Sequence, residues 1–137
     1  SRGERKIERF LDINDIYYKP HKTFKDCKNI IVLPFDFAIL NSDGSVKGLI
    51  EFHGAQHYRL VCFGGMSIEK AEESFKNLQI RDKIKSDYCQ KNGITLLEIH
   101  YKDYKSIPTI LSQFIRSLDD YLEPLWIKFV NALDNWD

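Results

Sequence analysis

Apolar positions fall at helical spacing at both ends of the chain and in the strand-like or mixed patterns between them. Ile7, Phe10 and Leu11 predict a helix over 3–14, with Glu4 in its first turn, where a carboxylate complements exposed N–H groups. Ile16-Tyr17-Tyr18 reads as a short strand ended by Pro20, and His21 to Asn29 as a polar, Lys-rich connection. Ile30 to Leu33 and Phe35 to Leu40 are β-prone runs separated by Pro34, which argues for a bend or an edge position. Asn41-Ser42-Asp43-Gly44 is a turn signal, so 35–40 and 47–53 are expected to pair as an antiparallel hairpin. Tyr58 to Met66 is irregular. Ser67 then caps a long helix from Ile68 to Lys91, ended by Asn92-Gly93. Ile94 to Ile99 predicts a strand covered on both faces. A helix from Pro108 to Ser117 and an apolar stripe (Leu122, Leu125, Trp126, Phe129, Val130, Leu133, Trp136) complete the chain. The expected class is α/β, an α+β sandwich with a mixed sheet flanked by helices.

Polar residues interrupt this pattern at one place. Glu51, His53, Gln56 and His57 crowd the end of a strand that breaks at Gly54. A buried polar group costs free energy unless it is paired, so an ordinary core strand has no use for so many. Asp36 is a second anomaly, a carboxylate inside Phe35 to Leu40, and alternation puts it on one face with Ala38 and Leu40. The hairpin can bring it near Glu51 or His53. Carboxylates at adjacent strand ends, with a strand carbonyl such as that of Phe52, suit a hard divalent cation. An imidazole beside them can move a proton near neutral pH. His53 and His57 are also zinc-type donors, but HxxxH on a breaking strand lacks a fixed helical register, and zinc hydrolysis is set aside.

Composition narrows the picture further. At 137 residues the chain is the size of one domain, and Lys+Arg and Asp+Glu balance at 20 each, so net charge argues neither for nor against nucleic acid. Lys and Arg nevertheless concentrate between Arg2 and Lys28, and the stretch after Leu118 is acidic. No apolar run reaches the roughly 18 residues of a membrane span, and no signal peptide is visible. The opening Ser fits a processed product or an excised fragment. Cys27, Cys62 and Cys89 are too scattered for a structural zinc site or a disulfide framework and fit a reducing, cytoplasmic setting.

Asp36 followed by Glu51-Phe52-His53 resembles the Asp then Glu-x-Lys pattern of the PD-(D/E)xK nuclease superfamily, with His53 in the lysine place. The similarity is closest to very-short-patch-repair endonucleases and to phage homing endonucleases with a Glu-Asp-x-His-Asp constellation. It extends over most of Gly3 to Tyr101, through Gly3-Glu4, Pro34-Phe35-Asp36, Phe52-His53-Gly54 and Gln79-Ile80-Arg81-Asp82-Lys83. The resemblance implies a restriction-endonuclease-like core over 1–106 and a helical extension over 107–137, packed on the core or in a homodimer. It implies a Mg²⁺-dependent (Mn²⁺-tolerant) endonuclease, such as the catalytic domain of a homing endonuclease, acting on double-stranded DNA in a bacterial or phage-infected cytoplasm. Catalytic roles would fall to Glu4, Asp36, Glu51, His53, Gln56 and Asp82, with Asp36, Glu51, Glu4 and the Phe52 carbonyl as metal ligands. The zinc cysteines of mismatch-repair members are absent, and those enzymes usually lack a carboxylate at the Glu51 position. Lys19, Lys22, Lys25, Arg59 and Arg81 are the expected DNA contacts. The alternative is a catalytically silent nucleic-acid-binding or assembly module of the same fold.

Overall fold

The structure, a computed structural model, describes residues 1–118; the stripe from Leu122 to Trp136, and the dimer contact expected of it, lie outside the described residues. Seven regular elements follow in the order α1 (Arg2–Ile13), β1 (Tyr18–Lys22), β2 (Phe35–Leu40), β3 (Val46–His53), α2 (Ile68–Asn92), β4 (Leu96–His100) and α3 (Ile107–Leu118). The strands form one mixed sheet in the order β1-β2-β3-β4, antiparallel except for the β3–β4 pair. A parallel neighbour needs a crossover, and α2 is that crossover.

Strand alternation divides the sheet between two layers. On one face Phe37, Ile39, Ile50 and Ile99 pack with Ile7, Phe10 and Leu11 of α1 and with Ile107, Leu111 and Ile115 of α3. α3 therefore shares one continuous core with α1. On the other face Ala38 and Leu49 pack with Cys27, Leu33 and Cys89, flanked by Ile84 and Tyr88. α2 runs across this face but buries only Ala71 and Cys89. Its Ser67 cap and its left-handed Gly93 stop (φ 65°) are those the sequence predicts. All three cysteines are free, and Cys62 is exposed. Among the described residues no helix is long and apolar enough to cross a membrane.

Two elements depart from the sequence reading. The first strand is not Ile16 to Tyr18 but Tyr18–Lys22, and it runs through Pro20. It pairs only with β2, and an edge strand tolerates a residue without an N–H. The second is the apolar run at 30–33, which forms no strand. Cys27 and Leu33 are pinned in the core, with the Leu33 N–H on the Cys27 carbonyl at 2.9 Å, so the residues between them bulge outward. A single bridge from Lys28 to Val32 closes that loop and leaves Ile30 93% and Ile31 73% exposed.

Candidate active site

Backbone pairing between β2 and β3 stops at Phe37–Ile50, and beyond it two carboxylates take over as hydrogen-bond acceptors. The Phe52 N–H donates to Asp36 Oδ2 at 2.8 Å, and the Asp36 N–H donates to Glu51 Oε2 at 3.0 Å. The strands thus part into a fork with side-chain carboxylates filling it. In an extended strand the N–H and C=O of one residue point to the same side. Phe52 therefore directs its carbonyl into the fork as well. The start of β2 is twisted, because Phe35 packs beneath α2 whereas Phe37, two residues on, packs toward α1.

Glu4 reaches this fork from α1. It forms a capping box with Ser1, accepting from the Ser1 nitrogen at 3.0 Å, and its carboxyl is close enough to that of Asp36 for a shared proton to favour ionised Glu4 and protonated Asp36. Close approach of α1 depends on Gly3. A Cβ there would stand 2.4 Å from Phe52 Cζ, so the ring of Phe52 fills the space a side chain would need. Gly3→Ala is expected to push α1 from β3 at a cost of about 1–3 kcal/mol, read as a lowered urea midpoint with an unchanged slope. A gain in stability, from the better helix former, would show that Phe52 can simply move aside.

Glu51 is nearly fully buried and is held by Lys85 of α2, whose Nζ lies 2.6 Å from Oε1. Burial, the largest single influence on Glu51, pushes its pKa up; His53, Lys85 and the Asp36 N–H together outweigh it and leave the carboxyl below its usual value. Asp36 goes the other way. Burial first, then the neighbouring Glu51 and Glu4 carboxylates, push it up to about 7, only partly offset by the Phe52 N–H. Three carboxylates around one fork make a site where a proton or a cation is strongly favoured.

On the far side of Glu51 sits an imidazole pair. His53 and His57 stack with ring centroids 3.9 Å apart and planes 4° from parallel. His57, on a single 3-10 turn at Ala55–His57, places Nδ1 2.7 Å from Asp82 Oδ2 of α2. A carboxylate oxygen only accepts, so the hydrogen belongs on Nδ1, and in the neutral ring the lone pair is then on the other nitrogen. His53 is deeper. Its Nε2 is buried without a hydrogen-bond partner, 3.6 Å from Glu98 Oε2 and 3.9 Å from Glu51 Oε1. Burial disfavours its charged form, but Glu51, Asp82 and Glu98 outweigh that and raise its pKa.

These groups line one cleft of 670 Å³, bounded by Asp36, Glu51, Phe52 and His53 on the sheet and by Leu78, Arg81, Asp82 and Lys85 on α2. The exposed Ile30 and Ile31 form its rim. Of the residues singled out from sequence, Asp36, Glu51, Phe52, His53, Asp82 and Arg81 meet here, and Glu4 touches Asp36. Gln56 does not join them: its side chain lies over Gly54 and, with Arg59, lines a neighbouring pocket. Lys19 and Lys22 lie on the edge strand, and Lys25 is exposed in the loop after it. One cleft residue, Lys85, escaped the sequence reading. Lys85 follows Leu78 and Asp82 at helical spacing, a signal that it shares their face. His57, one of the polar residues crowding the strand end in the sequence, is the imidazole with a carboxylate partner.

Fold and site together define a mixed α/β protein with a carboxylate–imidazole cleft at the end of its central strands. The chain belongs to the family described as "Protein of unknown function (DUF2726)", which matches residues 20–118. It is 38% identical over 76 residues to "Uncharacterized protein 307L" of Invertebrate iridescent virus 6, covering 56% of this chain and 36% of that protein. It is 35% identical over 52 residues to "Uncharacterized protein 033L" of Invertebrate iridescent virus 3, covering 38% of this chain and 25% of that protein. The matched stretches thus span about a third or less of either viral relative. No solved structure matches.

Proposed function

We propose that the chain carries the catalytic core of a divalent-cation-dependent endodeoxyribonuclease of the PD-(D/E)xK kind, with a restriction-endonuclease-like arrangement of sheet and helices. One observation carries this reading: the Asp36 and Glu51 carboxylates meet at the Phe52 backbone in the fork of a split β-ladder, beside a His57–Asp82 pair in the same cleft. The fit to a hard cation rests on the donor set, all oxygen, and on the like-charge crowding that lifts Asp36 to about 7. Asp36, Glu4 and the Phe52 carbonyl would hold such an ion, with Glu51 beside them, and when bound it supplies positive charge to a phosphodiester and its leaving oxygen.

The chain's own residues divide the remaining work. Lys85 fixes Glu51 and adds a cation to the cleft wall, and Arg81 lies within reach of the same phosphate-sized space. Asp82 fixes His57 with its free ring nitrogen available, the arrangement of an oriented general base. His53, whose raised pKa favours the protonated ring, backs His57 by stacking and suits proton donation rather than abstraction. Proton transfer is thereby divided between the two rings. Lys19, Lys22, Lys25 and Arg59 remain the proposed backbone contacts to duplex DNA.

The test is plasmid nicking by the intact protein with Mg²⁺, against the same reaction with EDTA. Conversion of supercoiled to open-circle plasmid only with the cation is the expected result. Salt-sensitive DNA binding without cleavage, over many plasmid sequences and with Mg²⁺ or Mn²⁺, would instead assign a catalytically silent binding module.

A further inference from the structure

His53, His57 and Asp82 each offer one ligand atom, and all three atoms lie within 4.8 Å of one another. The oxygen donors of the fork do not belong to this cluster. We propose that it is a second cation site, selective for a borderline transition ion such as Zn²⁺ or Co²⁺, and that its occupation silences the cleft.

Two nitrogens and one carboxylate oxygen are the donor set of open zinc sites, whereas Mg²⁺ prefers oxygen alone. Neutral imidazoles with one carboxylate leave a net charge of −1 for a dication to meet, with Glu98 and Glu51 just behind His53. A second observation is independent of the clustering. His53 Nε2 is a buried nitrogen with no hydrogen-bond partner, on a side chain only 6% exposed, and an orphaned buried polar atom calls for an explanation. Tetrahedral bonds of about 2.1 Å place donors about 3.4 Å apart, so the His57–Asp82 pair must open from 2.7 Å and the stacked rings must tilt to bring His53 in. The elements allow it, since His57 rides on one 3-10 turn after Gly54 and Asp82 is a side chain near the middle of α2. Such an ion takes the place of the proton between His57 and Asp82 and consumes the nitrogen lone pairs that proton transfer requires. The binding claim stands by itself; the inhibitory claim rests on the proposed nuclease reading.

The experiment is a Co²⁺ titration of the apoprotein followed by visible absorption, with Cys62→Ser as background so that the exposed thiol contributes nothing. Intense d–d bands of a four-coordinate ion are expected, with affinity about 10- to 100-fold weaker in His57→Ala and in Asp82→Asn. Asp36→Asn is expected to leave the bands intact. Asp82→Asn replaces a side chain 20% exposed by one of the same size, and circular dichroism is expected to show the fold kept even if His57→Ala does not keep it. Absence of d–d bands, or bands lost in Asp36→Asn and kept in Asp82→Asn, would overturn the site. For inhibition, Zn²⁺ added to the Mg²⁺ nicking reaction is expected to stop it, and less so in Asp82→Asn measured on its residual rate. Bands without any Mg²⁺-dependent nicking would overturn the nuclease reading alone, and nicking indifferent to Zn²⁺ in a protein that shows the bands would overturn the inhibitory claim alone.

Discussion

Asp36→Asn is expected to abolish Mg²⁺-dependent nicking, by at least about 10³-fold, while making the cation-free protein more stable at pH 8. Loss of activity follows from losing the charged oxygen at the centre of the fork. The gain in stability follows from linkage. Asp36 titrates near 7 in the folded protein against an ordinary value of 3.8. Its folded pKa is raised, so its contribution to stability is fully present below about 4 and is lost as the pH rises through about 7. Between those limits the loss runs at up to about 1.4 kcal/mol per pH unit. Asparagine keeps an oxygen for the Phe52 N–H but cannot ionise. Calorimetry at pH 4, 6 and 8 without divalent ions should show the variant and parent nearly level at pH 4 and diverging above it. A constant offset at all three values would mean that Asp36 is not strained by its neighbours. Saturating Mg²⁺ should stabilise the parent and not the variant.

Lys85→Met is expected to cost about 3–5 kcal/mol, because it leaves the Glu51 carboxylate buried without its counter-ion. The magnitude follows from the geometry: Lys85 Nζ and Glu51 Oε1 are 2.6 Å apart, and their side chains are 14% and 4% exposed. A buried pair is costly to break and cheaper to replace. The double variant Lys85→Met/Glu51→Gln should therefore recover most of the loss, because the amide oxygen still accepts from the Asp36 N–H. Urea denaturation of the two single variants and the double variant closes the cycle. Additive losses would show that the ion pair contributes nothing beyond its separate parts.

The fold was legible where local signals agreed. Ser67 and Gly93 bracket α2 as their capping chemistry predicts, and the Asn41–Gly44 turn sets the β2–β3 hairpin. Pattern alone misled at Ile30 to Leu33, because a β-prone run becomes a strand only with a partner. Here the flanking Cys27 and Leu33 anchors claim the core and leave the middle outside. Within the site, Asp36 and Glu51 announced themselves as carboxylates in apolar strands. Lys85 did not, because a lysine on a charged helix is ordinary until a buried carboxylate is found opposite. His57 was ambiguous for a related reason: its partner Asp82 is 25 residues away, and only the crossover brings the two together.

The split ladder also divides the site by its origin in folding. The Asp36–Phe52 link closes over 16 residues, across a single tight turn, so the oxygen half of the cleft belongs to a local hairpin. The Lys85–Glu51 link spans 34 residues and forms only when the crossover docks. Loop closure and long-range pairing come later and more slowly than hairpin formation. The hairpin therefore sets two repelling acids, Asp36 and Glu51, side by side before α1 adds Glu4 and α2 adds the lysine that balances one of them, and a divalent ion present during folding would find a place to enter first.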